Sequence, residues 1–253
     1  MRVPKVIVVI PSRYLSKRFP GKPLAMLGGI PIIARVYNQA AKAANVSDVY
    51  VATDDKRIGE AVTNHGGKVI YTRGDYVCGS DRVAAAMTGI AADYVVNLQG
   101  DEPLIRPETI DAVVKTLMDN SSEVMSTACC ELKDYQQAEN PNIVKVVMAK
   151  DGHAMYFSRG RIPYWSAYDK ADSETMEKPP IYRHIGVYGF TADFLRKYSS
   201  WRRSPLEVSE NLEQLRALEN GYSIKCVITE HEFLGIDTPE DLVAAEKRLS
   251  ISG

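Results

Sequence analysis

The 253-residue chain carries 31 Lys and Arg against 32 Asp and Glu, a net charge of -1, with 45% hydrophobic and 25% charged residues. That balance suits a globular chain with a sizeable core and supplies no overall field for nucleic acid or an anionic membrane. No stretch approaches the roughly 18 apolar residues of a membrane span, and the apolar run after the basic Met1 to Lys5 is too short for a signal-peptide core, so the expected location is cytoplasmic.

Val6 to Ile10 is a continuous apolar run, the pattern of a strand buried on both faces. It opens into the polar stretch Pro11 to Pro23, which holds the cations Arg13, Lys17, Arg18 and Lys22. In open α/β sheets the carboxyl ends of the strands are where ligands bind. Pro20-Gly21 enforces a turn, and the small Ser12 and Ser16 leave backbone amides accessible, a combination that suits a polyphosphate. The stretch is not a P-loop, because Ser16 stands five residues before Gly21 and Pro23 follows Lys22 where a hydroxyl is required; nor does G-x-G-x-x-G occur here.

Gly28-Gly29 predicts a turn and Pro31 the start of a helix through Ile32, Ile33, Val36, Tyr37 and Ala40. Asp48 to Ala52 predicts a second strand, with Thr53-Asp54-Asp55 capping a helix from Lys56 to Asn64. Lys68 to Tyr71 is a third strand. Thr72 to Gly79 leads to Ser80-Asp81-Arg82 and an Ala-rich helix to about Ala92, and Tyr94 to Leu98 is a fourth strand followed by Gln99-Gly100-Asp101-Glu102-Pro103. Strand, loop and helix repeating in this way predict a mostly parallel sheet with right-handed crossovers.

In the second half, Pro107 to Met118 predicts a helix and Val124 to Cys130 a strand, with a hairpin (143–149 and 153–158) about Asp151-Gly152. Gly160 to Pro180 contains three prolines and no periodicity and reads as a long loop or flap. Arg183 to Phe190 predicts a strand, Asp193 to Tyr198 a short helix, Ser209 to Asn220 a helix ended by Gly221, and Ser223 to Ile228 a strand. Thr238 and Pro239 stand as N-cap and first residue of a last helix to about Leu249. Cys78, Cys129, Cys130 and Cys226 form no C-x-x-C pair and have no His at metal spacing. Cys129 and Cys130 point to opposite faces of a strand, so reduced thiols are expected.

Asp101 and Asp237 each follow a strand at its carboxyl end, and Thr238 relieves Asp237 of capping duty. Two carboxylates facing a polyphosphate are the oxygen-donor set Mg²⁺ prefers. His184 and Tyr188 lie four apart on one strand face. Spacing alone joins neither these nor Arg159, Glu213 and Gln214 into a site. Hydrolase signatures such as a nucleophile elbow or H-E-x-x-H are missing.

Ile10-Pro11-Ser12-Arg13-Tyr14 with Arg18 to Leu24 resembles the signature loop of the sugar-acid cytidylyltransferases. The stretches Val51 to Asp55, Gly79 to Arg82, Asn97 to Leu104, Tyr156 to Arg159, Arg183 to Tyr188, Leu212 to Leu218 and Asp237 to Asp241 are similar to the 3-deoxy-manno-octulosonate (Kdo) cytidylyltransferases, or CMP-Kdo synthetases, in order over residues 5–249. One departure is Cys78-Gly79-Ser80-Asp81-Arg82, where the family usually has Ser-Gly-Thr-Asp-Arg.

The resemblance implies a nucleotide-diphospho-sugar transferase (GT-A-like) fold of three layers, with a CTP-binding part over residues 1–120, a sugar-binding and dimerisation lobe over 121–230, and the metal-binding Asp and last helix over 231–253. It implies Mg²⁺-dependent transfer from CTP to Kdo or its 8-amino analogue for lipopolysaccharide assembly, by a homodimer. Carried over by position, Arg13, Lys22 and Asp101 would be catalytic, and Pro11, Arg13, Ser16, Lys22, Ser80, Arg82 and Gln99 would bind CTP. Gln99, Arg159, His184, Tyr188, Glu213 and Gln214 would bind the sugar acid, and Asp101 and Asp237 the metal. A CMP-sialic acid-type synthetase and a non-catalytic nucleotide-binding protein are the competing readings.

Overall fold

The computed structural model describes residues 2–15, 18–164, 180–230 and 234–252. In chain order, β1 (Val6–Pro11) leads through a single 3-10 turn to a small ribbon, β2 (Met26–Leu27) and β3 (Ile30–Pro31), and then α1 (Ile32–Ala40). β4 (Asp48–Thr53), α2 (Lys56–Thr63), β5 (Val69–Tyr71), α3 (Gly79–Ala86), β6 (Tyr94–Leu98) and α4 (Pro107–Asp119) complete the first half. The second half contains β7 (Met125–Glu131), β8 (Lys145–Met148), β9 (Ala154–Ser158), β10 (Tyr182–Thr191), α5 (Ala192–Ser199), α6 (Pro205–Glu210), α7 (Leu215–Glu219), β11 (Lys225–Ile228) and α8 (Pro239–Ser252).

The apolar run of β1 explains the layering. Val6, Val8 and Ile10 pack on one side with Ile32 and Val36 of α1, Ile58 of α2, Val113 of α4 and Ala245 of α8. Ile7 and Val9 pack on the other with Val83 of α3, Leu195 and Tyr198 of α5 and Leu215 of α7. All five side chains from Val6 to Ile10 are fully buried, each contributing about 1.5–3 kcal/mol of hydrophobic stabilisation. Helices on both faces of a sheet are the expected three-layer α/β architecture.

The sheet runs in the order β11-β7-β10-β6-β1-β4-β5. β1 is parallel to β4 and β6, β4 to β5, and β11 to β7, as the alternating pattern predicts. β10 is inserted antiparallel between β6 and β7, and the hairpin of β8 and β9 branches from its start. The cysteines are free thiols, and Cys129 and Cys130 enter opposite cores as predicted.

Two helices differ from expectation. The helix over Ser209 to Asn220 is two, because Asn211 takes a left-handed conformation (φ 53) that ends α6 and lets α7 begin only at Leu215. The Ala-rich helix stops at Ala86, and Gly89 turns the chain with φ 79. Of the predicted flap, residues 165–179 lie outside the described residues.

Candidate functional site

A cleft of about 810 Å³ opens at the carboxyl ends of β1 and β6 and is closed below by β10 and the α6–α7 turn. Its size is that of a small-molecule site.

At one end lies the basic loop. Lys22 follows Gly21, whose φ of 73 makes the sharp turn, and starts the 3-10 turn Lys22–Leu24. Its Nζ donates to Asp101 Oδ2 at 2.9 Å and to Asp237 Oδ1 at 3.2 Å, and Arg18 pairs with Asp237 at 2.9 Å. Burial pulls the Lys22 ammonium down, but the two carboxylates outweigh it and its pKa is raised, so it stays charged. Asp101 sits in the turn after β6, and its backbone oxygen accepts from Ile236 N at 2.9 Å, which clips the two Asp-bearing segments together. Asp241 accepts from the amides of Asp237 and Thr238, each at 2.9 Å, and Thr238 Oγ1 accepts from Asp241 N, so capping leaves the Asp237 carboxylate free for the cleft. Arg13 is exposed and lines the same end. Ser16 lies outside the described residues.

Beside this end, Pro11, Arg13, Cys78, Gly79, Arg82 and Gln99 line a recess of about 140 Å³. A Cβ on Gly79 would come within 2.8 Å of Gln99 Nε2 and 3.2 Å of Pro11, so a larger residue would displace the Gln99 amide where α3 begins close to β1. Arg82 is buried, donates to Thr72 Oγ1 at 2.9 Å and stacks 5.0 Å from the Tyr76 ring centre. Ser80 is committed to the fold on two sides: its Oγ accepts from Asn97 Nδ2 at 3.0 Å, and its amide donates to Glu213 Oε2 at 2.8 Å.

The far end is largely buried and built from hydrogen-bonding side chains. Glu213 also accepts from Gln99 Nε2 at 3.0 Å and from Asn97 Nδ2 at 3.4 Å. Burial raises its pKa, against the opposing hydrogen bonds of Cys78 and Ser80. Tyr188 OH donates to Gln214 Oε1 at 3.1 Å, and Gln214 Nε2 is buried with no partner among the described residues. His184 lies with its ring centre 5.3 Å from that of Tyr188. Arg159, just past β9, spends Nε on Glu210 O at 2.8 Å and Nη1 on Pro141 O at 3.0 Å, at the cleft wall.

The structure therefore brings the described site residues expected from sequence to one cleft and its adjoining recesses, except Ser80, which lines none of them and is held on Asn97 and Glu213. It adds several that spacing did not reveal. Asn97, a polar residue inside the apolar strand Tyr94–Leu98, was visible as an anomaly of pattern. Glu102 lines the cleft, where burial raises its pKa to about 7 against the pull of Arg183. Arg216 pairs with Glu207 and Asp81 beneath the start of α3, a contact between residues 135 apart that no local signal carries.

Among the described residues no group of three or more His, Cys, Asp or Glu converges as a metal cage. The pair Asp101 and Asp237, meeting on one ammonium, still fits Mg²⁺, which takes one or two carboxylates and completes its shell with phosphate oxygens and water.

A family model described as cytidylyltransferase matches residues 7–225. A 3-deoxy-manno-octulosonate cytidylyltransferase of Syntrophotalea carbinolica is 46% identical over 245 residues, covering 96% of this chain and 98% of the relative. An 8-amino-3,8-dideoxy-manno-octulosonate cytidylyltransferase of Shewanella pealeana is 45% identical over 250 residues, covering 97% and 99%. Among solved structures, CMP:2-keto-3-deoxy-manno-octonic acid synthetase complexed with CTP superposes with a TM-score of 0.88 at 38% identity, covering 98% of this chain and 100% of that one.

Proposed function

The chain belongs to the cytidylyltransferase family, among the 3-deoxy-manno-octulosonate cytidylyltransferases, and on that premise we propose that its cleft joins CTP to an eight-carbon 2-keto-3-deoxy sugar acid. The reaction gives the CMP-sugar and pyrophosphate, with Kdo or its 8-amino analogue as acceptor. The observation that carries this reading is the meeting of Lys22, Asp101 and Asp237 where the basic loop leaves β1.

The reaction is an in-line displacement: the anomeric hydroxyl attacks the α-phosphorus, and the bond to the pyrophosphate oxygen breaks. It needs positioning and charge stabilisation rather than a covalent enzyme intermediate. Arg13 and Lys22 hold the triphosphate and stabilise charge that develops on the α-phosphate and the leaving group. Asp101 and Asp237 would hold Mg²⁺, which neutralises phosphate charge when bound. Pro11, Ser16, Ser80, Arg82 and Gln99 surround the nucleotide, and Gln99, Arg159, His184, Tyr188, Glu213 and Gln214 form the sugar-acid end. Residues 1–120 would thus serve CTP, 121–230 the sugar and assembly, and 231–253 the metal.

A homodimer through the second half completes this reading. In support, β11 is an edge strand whose Ile228 is 55% exposed, and Met155 of β9 is 66% exposed. Sedimentation of the purified chain tests it, a monomer overturning it. Among the described residues no helix is long and apolar enough to cross a membrane. The proposed setting is cytoplasmic supply of activated sugar for lipopolysaccharide.

The test is pyrophosphate release from CTP with Mg²⁺ and, in parallel, Kdo, 8-amino-Kdo and N-acetylneuraminate. Release with either octulosonate and not with the sialic acid is expected. Preference for the sialic acid would overturn the acceptor, and no release with any would overturn catalysis.

A further inference from the structure

The sugar-acid end contains a hydrogen-bond chain whose protons can be counted. Thr127, fully buried on β7, has its Oγ1 2.7 Å from the backbone oxygen of Val187 and 2.9 Å from His184 Nε2. A hydroxyl has one proton to donate. Val187 O can only accept, so the 2.7 Å contact takes that proton; without it, two bare oxygens would face each other at that distance. Thr127 Oγ1 then offers His184 only a lone pair, and Nε2 must carry a hydrogen.

The backbone explains why the hydroxyl is there. β10 pairs with β7 at His184↔Cys129, Ile185↔Ala128 and Tyr188↔Thr127, so Gly186 and Val187 have no counterpart on β7. This irregularity turns the Val187 carbonyl onto Thr127, while Gly186 O accepts from Gln99 N at 2.9 Å. A Cβ on Gly186 would lie 2.9 Å from Gln99 Cγ, so glycine is required where the strand folds against the cleft floor. Phe157 meets the His184 ring edge-on at 5.0 Å, and Tyr188 lies on it at 5.3 Å, which hold its plane.

Burial, aided by Arg183, pushes the His184 pKa down to about 3, so near neutral pH the ring carries a single N–H. With that hydrogen on Nε2, Nδ1 is a bare acceptor. No described residue donates to it, and the ring lines the cleft. A neutral imidazole presenting a lone pair suits a hydroxyl and repels a carboxylate.

We propose that Thr127 is a positioning residue that fixes His184 in the Nε2-protonated tautomer, so that Nδ1 accepts a hydrogen bond from a hydroxyl of the sugar acid. The identity of the donor rests on the cytidylyltransferase reading; the tautomer does not. Thr127 touches no substrate, and its whole effect passes through the ring.

The experiment labels the full chain with ¹⁵N-histidine; the sequence has four His, and the spectrum of His184→Gln identifies the resonances of interest. A protonated-type Nε2 and a bare-type Nδ1 are expected, with Nδ1 shifting when Kdo is added in the presence of CTP. Thr127→Val should put part of the population on Nδ1–H and raise KM for Kdo about fivefold to tenfold, the worth of one hydrogen bond, with kcat and KM for CTP nearly unchanged. Thr127→Ser should restore both the spectrum and KM. A proton on Nδ1 in the wild-type chain overturns the proposal, even if Thr127→Val fails to fold. So does Thr127→Val with an unaltered tautomer and unaltered KM, or Thr127→Ser that folds and rescues neither. Failure of the cytidylyltransferase reading looks different: wild-type protein inactive with Kdo and Nδ1 unmoved by it, with the proton still on Nε2, overturns the hydroxyl contact alone.

Discussion

The two ends of the cleft solve opposite electrostatic problems. The phosphate end is charged, partly exposed and carried on loops, with Lys22, Arg18, Asp101 and Asp237 pairing across it. The sugar-acid end is largely buried, with Glu213 accepting from Gln99 and Asn97, Tyr188 donating to Gln214, and His184 bonded to Thr127. The first can lose a charge with little cost to the fold, because its ion pairs are in partial contact with water. The second doubles as core, so altering it removes both a ligand contact and packed, hydrogen-bonded side chains.

The largest expected effect tests the anchoring of the buried end. Arg216 has a side chain 1% exposed, donates to Glu207 at 2.7 and 2.8 Å and to Asp81 at 2.8 Å, and so ties the α6–α7 turn to the start of α3. Burial pulls its pKa down, yet Glu207 and Asp81 together raise it, so the guanidinium is charged. Arg216→Met removes the shared cation from Glu207 and Asp81, leaving Glu207 only its weaker pair with Arg203 at 3.3 Å, and should cost about 3–5 kcal/mol in urea denaturation. A loss within the range of a surface substitution would break the distinction between the ends. At the phosphate end, Asp101→Asn should lower turnover by about 100- to 1,000-fold while shifting stability by less than about 0.5 kcal/mol. Near-normal turnover with Mg²⁺ would remove Asp101 from the metal role; a large stability loss would show that this end is core as well.

The same division decides what the sequence made legible. Most of the charged end is written in contiguous residues: a buried strand, a basic loop with a turn, an acid just past β6 and another just before α8, so Arg13, Lys22, Asp101 and Asp237 could be named before any coordinates, although Asp237 does not end a strand as expected, because β11 stops at Ile228. Two-sided burial of β1 was equally readable, because every residue from Val6 to Ile10 is apolar. The direction of β10 was not, since alternation in Arg183 to Phe190 reports faces and not the sense of pairing. Thr127 and Arg216 were hidden for a related reason. Their partners lie on other elements, and the backbone irregularities that align them, the unmatched pair Gly186-Val187 and the left-handed Asn211, leave no period to detect. Asn211 is the clearest case: helical spacing ran through it, and the break is what aims Glu213 and Gln214 at the cleft.

Smaller effects sharpen the comparison within the buried end. Glu213 accepts from Ser80 N, Gln99 Nε2 and Asn97 Nδ2, and all three are donors. Glu213→Gln would set an amide NH₂ against one of them, so a loss of about 1–3 kcal/mol in denaturation is expected, with KM raised for both substrates because Ser80 serves CTP and Gln99 serves both. A change confined to the KM of the sugar acid would show that the network is divided where the structure joins it.

The smallest effect is a pH dependence set by the buried His184 ring. The His184 pKa falls from 6.5 to about 3 on folding because the ring is buried. Between those values the unfolded chain binds the extra proton and the folded chain does not, so stability rises with pH across the window and is lost as pH falls. Going from pH 7.5 to 5.5, His184 alone should cost about 1.4 kcal/mol. Glu102 acts with the opposite sign: raised to about 7 from 4.5, it binds more protons when folded, so its contribution declines as pH rises between those values. The sum in the wild-type chain is therefore shallow, and the difference between wild type and His184→Gln isolates the ring, since the amide still donates to Thr127 and does not titrate. Urea denaturation of both chains at the two pH values should show wild type losing about 1.4 kcal/mol more than the variant. Equal losses would mean that the ring gains water and a proton within the fold, and the buried end would then be as wet as the phosphate end it is set against.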